Sequence, residues 1–200
     1  MNKDIRISSP ENIAICVGGV PGSGKTTLLK THVEMETQDI QVTGSSIIKT
    51  IIAPSSVHEF DSWKPEQRDA VRQQSILELR RLRQQCAGRM LVDGHFTLRN
   101  RSSGELESIF TPEDRGFFNA LILIHPQPEF VLARREEDQR CRRTESIEEI
   151  AAHIEFEQIE GRRLANEMGV PLLELDECDL LQRLHIMASF LDMVSVQVKQ

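Results

Sequence analysis

The chain has 200 residues, of which 39% are hydrophobic and 28% charged, and its net charge is −7. This composition fits a globular protein with one sizeable core, and the charge argues against a general nucleic-acid or membrane-surface binder. The polar start is unlike a signal peptide, no run approaches the roughly 18 apolar residues of a membrane span, and no two cysteines have CxxC spacing. We therefore expect a cytoplasmic protein without a zinc or redox motif.

Short apolar runs alternate with helix-like stretches along the chain. The predicted strands are 12–17, 39–43, 89–93, 119–124 and 170–176. The predicted helices are 25–33, 65–86, one beginning at 128, 146–169 and 179–194. Alternation of this kind predicts an α/β fold in which helices cover both faces of a parallel sheet and ligands bind beyond the carboxyl ends of the strands. We expect one domain over 1–200, with 44–64 and 134–146 as mobile insertions.

The glycine-rich stretch GVPGSGKT occupies 19–26, directly after the first predicted strand and at the start of the first predicted helix. It matches GxxxxGK[ST], the P-loop, in which main-chain N–H groups and a helix N-terminus surround phosphates. Lys25 is placed to reach the β- and γ-phosphates, and Thr26 offers a hydroxyl to Mg²⁺. The alternative is a glycine-rich turn without a ligand. The predicted ATP-binding residues are Gly19, Val20, Pro21, Gly22, Ser23, Gly24, Lys25, Thr26 and Thr27.

Asp93 ends the apolar run MLVD, which is the position of a Walker B carboxylate. There it would orient Mg²⁺ or one of its waters, so Thr26 and Asp93 form the predicted metal site. A strand-end aspartate that makes a turn is the simpler interpretation. Asp176, at the end of the last predicted strand, is a weaker alternative for the metal.

The combination of GVPGSGKTT with VDGHFTLR at 92–99 resembles the nucleoside monophosphate kinases. It is most similar to archaeal-type adenylate kinases and the related small adenylate kinase-like ATPases of ribosome assembly. The segment LARREEDQRCRRTESIEEIAAH at 132–153 resembles the arginine-rich lid of this family, and VPLLELD at 170–176 resembles its last strand. The likeness covers about 12–176.

This resemblance implies a three-layer P-loop NTPase fold with a five-stranded parallel sheet, an acceptor flap over about 44–64 and a lid over about 134–146. It implies ATP and Mg²⁺ as cofactors. Arginines suit a lid because their planar, permanently charged forks bind phosphate bidentately, although a solvated helix with i,i+4 ion pairs is the alternative for this segment. His95 has a structural alternative as well. The expected catalytic residues are Lys25, Asp93, His95, Arg134, Arg140 and Arg142. His125, His153 and His185 are expected to be structural or exposed.

The resemblance also places an acceptor site beside the flap. The expected acceptor-binding residues are Gly44, Ser45, Ser46, Arg68, Arg72 and Arg99. A helix start with a serine cap is the alternative for 44–46 and is compatible with that role, and a surface position is the alternative for each arginine. Archaeal-type adenylate kinases usually carry an arginine before the long helix, where this chain has Trp63 and Lys64. A lysine offers a point charge without the bidentate fork, which bears on specificity for AMP. Trp63 either stacks on a base or packs under the flap, and packing is the expectation.

Two classes of function remain open at this stage. The first is a kinase that moves the γ-phosphoryl group of ATP to a small nucleotide-like acceptor, with a nucleoside or a modified base in a nucleic acid as a variant. The second is a P-loop ATPase that serves as a switch or assembly factor with a protein or ribonucleoprotein partner. A GTPase is disfavoured because IHPQP stands where a guanine-specific NKxD element would follow the fourth strand. Sugar and shikimate-type kinases share the P-loop but leave DGH and the arginine lid unexplained.

Overall fold

The computed structural model describes residues 13–100, 103–137, 145–176 and 179–198, and its central feature is a five-stranded parallel sheet. The strands within these ranges, in order, are β1 Ala14–Gly18, β2 Ile40–Thr43, β3 Met90–Asp93, β4 Thr97–Arg99, β5 Leu106–Ser108, β6 Ala120–Ile124 and β7 Leu172–Leu175. The sheet order is β2-β3-β1-β6-β7, and every pairing within it is parallel. This confirms the predicted α/β fold and its five strands, each within about two residues of its predicted bounds.

The five predicted helices are present within the described residues with similar bounds, and three shorter helices accompany them. They are α1 Lys25–Met35, α2 Gly44–Ile52, α3 Val57–Asp61, α4 Pro65–Gln85, α5 Pro112–Arg115, α6 Pro128–Glu137, α7 Ile147–Met168 and α8 Leu180–Gln197. Ser146 caps α7 through a capping box with Glu149, and Gly169 ends it in the left-handed conformation with φ of 65°. No helix within the described ranges is both long and apolar enough to cross a membrane.

Two hydrophobic layers cover the sheet, one on each face. Along β1, Ile15 and Val17 belong to the layer formed with α1 and α8, whereas Ala14 and Cys16 belong to the layer formed with α2, α4 and α7. This division follows from the alternation of side chains along a strand. The carboxyl ends of β1 and β3 therefore lie side by side between the layers, with Val17 in register with Asp93.

Two segments carry more regular structure than the sequence predicts. The 44–64 segment, expected as a mobile insertion, contains α2 and α3, which pack around a cluster of Ile52, Phe60 and Val71. Strands β4 and β5 pair as a short antiparallel hairpin after β3. Three-residue strands are too short to show periodicity, which is why the sequence does not reveal this hairpin.

Candidate functional site

The loop between β1 and α1 has a backbone that glycine alone adopts easily. Gly19, Gly22 and Gly24 have φ angles of 135°, 90° and 96°, and side chains strain such conformations. A Cβ atom on Gly19 would also lie 2.4 Å from the carbonyl oxygen of Ile124. The glycines of the motif are therefore required by the local geometry of the loop.

Lys25 folds back over this loop from the first turn of α1. Its side chain is buried, and its ammonium group donates to the carbonyl oxygens of Gly19 at 2.5 Å and Val20 at 3.1 Å. A positive charge is thereby held within the glycine-rich loop, beside the N-terminus of α1. This arrangement favours an anion of the size of a phosphate group.

Thr26 and Asp93 meet at the carboxyl edge of the sheet. The Thr26 hydroxyl donates to Asp93 Oδ2 at 2.7 Å, because the parallel register sets the end of β3 beside the start of the loop. A hydroxyl and a carboxylate are hard oxygen ligands of the kind that Mg²⁺ prefers, so these two side chains fit the metal that a P-loop uses. Asp176 follows β7, which β6 separates from β1, and is less well placed than Asp93.

The segment that follows Asp93 contacts a buried carboxylate on α7. His95 lies next to the loop, and burial together with the charge of Lys25 lowers the pKa of His95 well below its usual value. The following residue, Phe96, donates its main-chain N–H to Glu157 Oε2 at 3.1 Å. Burial raises the pKa of Glu157 to about 7 and lowers the pKa of His153, one helical turn away, to about 4.

Three arginines approach the main chain of the P-loop from two helices. Arg134 of α6 donates to Ser23 O at 3.2 Å, and the adjacent Arg135 donates to Pro21 O at 2.9 Å. Arg183 of α8 is buried and donates to Ser23 O at 3.5 Å and to Asp176 O at 3.1 Å. Arg134 was expected from the sequence. Arg140 and Arg142, also expected, lie outside the described residues.

Several residues of this site are not among the site residues predicted from the sequence, and only one of them has a sequence signal. Arg135 is the second arginine of the RR pair that marks the lid, so the doublet was a signal for it. Arg183 belongs to no motif. Glu157 and His153 lie within an amphipathic helix, and only the packing of α7 against the segment after β3 brings them to the site.

The residues expected to bind an acceptor are spread over α2, α4 and β4. Gly44 begins α2, and a Cβ atom there would lie 3.6 Å from Asp93 O. Ser45 and Ser46 lie exposed in the first turn of α2, where Thr43 is the N-cap residue. Trp63 packs edge-on against Phe60 at a ring separation of 5.5 Å, under the flap.

The three arginines expected to bind the acceptor each pair with a carboxylate in this structure. Arg68 lies 3.9 Å from Glu107, and Arg72 lies 3.2 Å from Asp69. Arg99 contacts Glu145 at 3.2 Å, and Glu145 also pairs with Arg135. A chain of ion pairs thus connects the β4–β5 hairpin to α6 and, through Arg135, to the P-loop. The contribution of these arginines to acceptor binding stays a prediction.

Comparison with known proteins identifies a family and a fold. A family model described as AAA domain matches residues 18–151. A shikimate kinase from Acinetobacter baumannii, solved in complex with shikimate, superposes with a TM-score of 0.59 and 14% identity over 90% of this chain and 93% of that chain. A gluconokinase from Sinorhizobium meliloti 1021 superposes with a TM-score of 0.57 and 14% identity over 94% of this chain and 97% of that one. No curated protein has a significant sequence match. At this identity the two structures establish a shared P-loop kinase fold.

Proposed function

The chain belongs to this AAA domain family, and on that premise we propose that it is a P-loop kinase that transfers the γ-phosphoryl group of ATP to a small nucleotide-like acceptor. A nucleoside monophosphate is the first candidate. The observation that carries the proposal is the convergence of Arg134 and Arg135 on the loop that holds Lys25. Phosphoryl transfer needs positive charge on several sides of the phosphate chain, and this arrangement supplies it.

Each group at the site has a role in this reaction. Lys25 neutralises the phosphates, and the P-loop amides orient them. Thr26 and Asp93 would hold Mg²⁺, which neutralises phosphate charge when bound. Arg134 and Arg135 supply charge from the lid side, where closure of the lid would exclude water and suppress hydrolysis. His95, held neutral by its surroundings, is available to orient an acceptor hydroxyl or a water.

The acceptor is the less constrained partner. The two similar structures are named as kinases of shikimate and gluconate, which are small hydroxylated molecules and support a small-molecule acceptor in general. The DGH element, the lid arginines and the flap that begins at Gly44 support a nucleotide in particular, because they match the nucleoside monophosphate kinase pattern. We also propose that the whole chain forms a single kinase domain with this flap and lid.

The proposal is tested by incubating the protein with Mg²⁺ and γ-labelled ATP in the presence of candidate acceptors. The panel contains the four nucleoside monophosphates, the corresponding nucleosides, shikimate and gluconate. We expect label transfer to at least one nucleoside monophosphate, with ADP formation that depends on that acceptor. Lys25→Ala should abolish transfer, whereas Lys30→Ala, an exposed lysine on the same helix, should leave it unchanged.

The other outcomes identify the alternatives. Equal loss of ATP with and without every acceptor would indicate an ATPase and contradict the kinase. Transfer to shikimate or gluconate alone would retain the kinase and overturn the nucleotide acceptor. Transfer to nucleosides alone would point to the nucleoside or modified-base variant.

A further inference from the structure

Glu157 is a carboxylate in the middle of α7 with an exposed fraction of 1%. Charged side chains are rarely buried to this extent without full pairing. Glu157 Oε2 accepts the hydrogen bond from Phe96, but Oε1 is buried without a hydrogen-bond partner among the residues that the structure describes. Such an arrangement costs stability, so it points to a role other than packing.

Phe96 is held in place by α7 and by the end of β1. Its ring is fully buried, and Cβ atoms built on Gly18 and Gly161 would lie 2.7 Å and 2.9 Å from ring atoms. Gly18 directly precedes the P-loop. Gly161 follows Glu157 by one helical turn and therefore shares its face of α7. The helix thus fixes both the ring and the main chain of Phe96.

Phe96 is close in sequence to two groups expected to take part in the reaction, Asp93 and His95. Asp93 precedes it by three residues, and His95 is its immediate neighbour. A shift of Phe96 would move both, and with Asp93 it would move the contact to Thr26. Displacements on the order of 1 Å away from the chemistry can cost an enzyme about 100-fold in rate.

We propose that Glu157 is a positioning residue that holds Asp93 and His95 in place through the N–H of Phe96, and that its carboxyl group interacts with the charge of Lys25 until a bound nucleotide engages that lysine. The inference rests on the proposed function in one respect, since it takes Lys25 to be a phosphate ligand. It adds a residue on α7 to a site built from the P-loop, the end of β3 and the lid.

Nucleotide binding should change the protonation of Glu157. Burial raises the pKa of Glu157 to about 7, while the charge of Lys25 acts in the opposite direction. When phosphates approach Lys25, they bring negative charge and offset the ammonium group, so the pKa of Glu157 rises further. Glu157 then binds a proton, and nucleotide binding near pH 7 takes up protons from the solution.

The neighbouring titratable groups do not produce the same signal. The pKa values of His95 and His153 are lowered far enough that both rings stay neutral near pH 7, and burial raises the pKa of the Cys16 thiol. Glu160 is ion-paired with Arg163, which lowers its pKa. The titratable groups around Glu157 in the described structure are Cys16 of β1, Lys25 of α1, His95 after β3, and His153 and Glu160 of α7.

Isothermal titration calorimetry measures this uptake directly. The protein is titrated with Mg²⁺ and a non-hydrolysable ATP analogue at pH 7 in two buffers that differ in ionisation enthalpy. We expect uptake of a fraction of a proton by the wild type, none by Glu157→Gln, and wild-type uptake by Glu155→Gln, an exposed carboxylate on the same helix. No uptake by the wild type, or equal uptake by Glu157→Gln, would overturn the proposal.

Turnover measurements test the positioning role. Glu157→Ala should lower kcat by about 100-fold with little change in KM for ATP, because the P-loop itself is intact. Glu157→Gln retains an oxygen that accepts from Phe96 N–H, so it should keep most of the turnover at neutral pH. Equal losses in the two variants would contradict the role of this hydrogen bond.

The two experiments separate this inference from the proposed function. If Glu157→Ala does not fold, proton uptake by the wild type and Glu157→Gln still tests the coupling to Lys25. A large loss of turnover in Glu157→Gln, which keeps the acceptor for Phe96 N–H, would contradict the positioning role. The calorimetric measurement needs only nucleotide binding. A wild type that binds the analogue and takes up protons but phosphorylates no acceptor would contradict the kinase while supporting the coupling of Glu157 to Lys25.

Discussion

Asp93 accepts a hydrogen bond from the Thr26 hydroxyl at 2.7 Å and lies in register with Val17 at the end of β1. We expect Asp93→Asn to lower turnover by about 10- to 100-fold and to raise the Mg²⁺ concentration needed for half-maximal rate, because the neutral amide is a weaker metal ligand. The measurement is the rate as a function of Mg²⁺ at saturating ATP. Asp192→Asn, an exposed carboxylate of α8, is the control and should match the wild type. An unchanged Mg²⁺ requirement in Asp93→Asn would remove Asp93 from the metal site.

The buried carboxyl group of Glu157 should make the free energy of unfolding depend on pH. Its pKa is raised from 4.5 to about 7 by burial, so between these values the folded protein binds more protons at this position than the unfolded chain. The contribution of Glu157 to the free energy of unfolding therefore falls as pH rises through this window. Relative to Glu157→Gln, the wild type should lose on the order of 2 kcal/mol between about pH 4.5 and 7.5.

Urea denaturation of the two proteins across this pH range measures that difference. Comparison with Glu157→Gln cancels the opposing contribution of His153, whose lowered pKa makes folding more favourable as pH rises from about 4 to 6.5. A difference between wild type and variant that is constant with pH would show that Glu157 stays charged throughout.

Residues of the site differ in how far the sequence reveals them. Gly19, Lys25, Thr26 and Asp93 are recognisable because each has a fixed place at the end of a strand or the start of a helix. Arg183 and Glu157 occupy interior helical positions whose neighbours in sequence say nothing about the ligand. Their place at the site depends on packing between distant segments, and a single sequence does not encode that in any local pattern.

At the scale of elements, α7 and the segment after β3 are joined by the ring of Phe96. In an ordinary helix, replacing glycine by alanine stabilises by up to about 1 kcal/mol. Gly161→Ala should do the reverse, because its Cβ would lie 2.9 Å from the Phe96 ring. We expect a loss of about 1–3 kcal/mol in the free energy of unfolding.

Urea denaturation tests this, with two matched variants. Gly116→Ala, whose Cβ would have no neighbour closer than 3.9 Å, should be nearly neutral. The smaller side chain in Phe96→Leu should relieve part of the loss when combined with Gly161→Ala. Stabilisation by Gly161→Ala would show that the ring moves freely away from α7.

The two arginines of α6 contact different parts of the P-loop. Successive residues on a helix point about 100° apart. Arg134 and Arg183 both donate to Ser23 O. Arg135 donates to Pro21 O and pairs with Glu145. Because Glu145 also pairs with Arg99 of the hairpin, Arg135 is the arginine connected to one of the residues predicted to bind the acceptor. We expect Arg135→Ala to lower kcat by about 1,000-fold and Arg134→Ala to act mainly on KM for ATP.

Steady-state kinetics with the acceptor identified by the labelling panel separates these effects. Arg162→Ala, an exposed arginine of α7 paired with Glu174, is the control and should leave both constants unchanged. The reverse pattern, with kcat affected by Arg134→Ala alone, would assign the transferring phosphoryl group to the Ser23 end of the loop.

Elements with a long or well-capped pattern are predictable from the sequence, and short ones depend on their surroundings. The bounds of α7 follow from Ser146 and Gly169, and α4 begins at Pro65 as expected. Helices α2 and α3 are different, because they are held by contacts with distant residues such as Val71 of α4. The three-residue strands of the β4–β5 hairpin are too short to show periodicity. Their positions decide where the acceptor would lie, which is why the acceptor is harder to predict than the nucleotide.

Across the whole molecule, the order of the strands explains why the P-loop and Asp93 lie together at the carboxyl ends of the strands. Strand β1 is central in the sheet and β3 is its neighbour, so the P-loop and Asp93 are adjacent although about 70 residues separate them in sequence. Helices α7 and α8 lie on opposite faces of the sheet, and each contributes a buried charged residue to this edge, Glu157 and Arg183. Segments from β1 to α8 therefore contribute residues to the place where a nucleotide would bind.

A nucleotide bound at this edge should stabilise the whole domain. At a concentration about 1,000 times its Kd, MgATP or a non-hydrolysable analogue adds about 4 kcal/mol to the free energy of unfolding, which for a chain of this size is a rise in Tm of roughly 8–16 °C. Differential scanning calorimetry measures this shift. Because Lys25 is the buried cation of the loop, Lys25→Ala should lose most of the shift, and Lys30→Ala should keep all of it. A full shift in Lys25→Ala would mean that the nucleotide binds elsewhere on the molecule, since stabilisation requires binding to the folded state but not to any particular site.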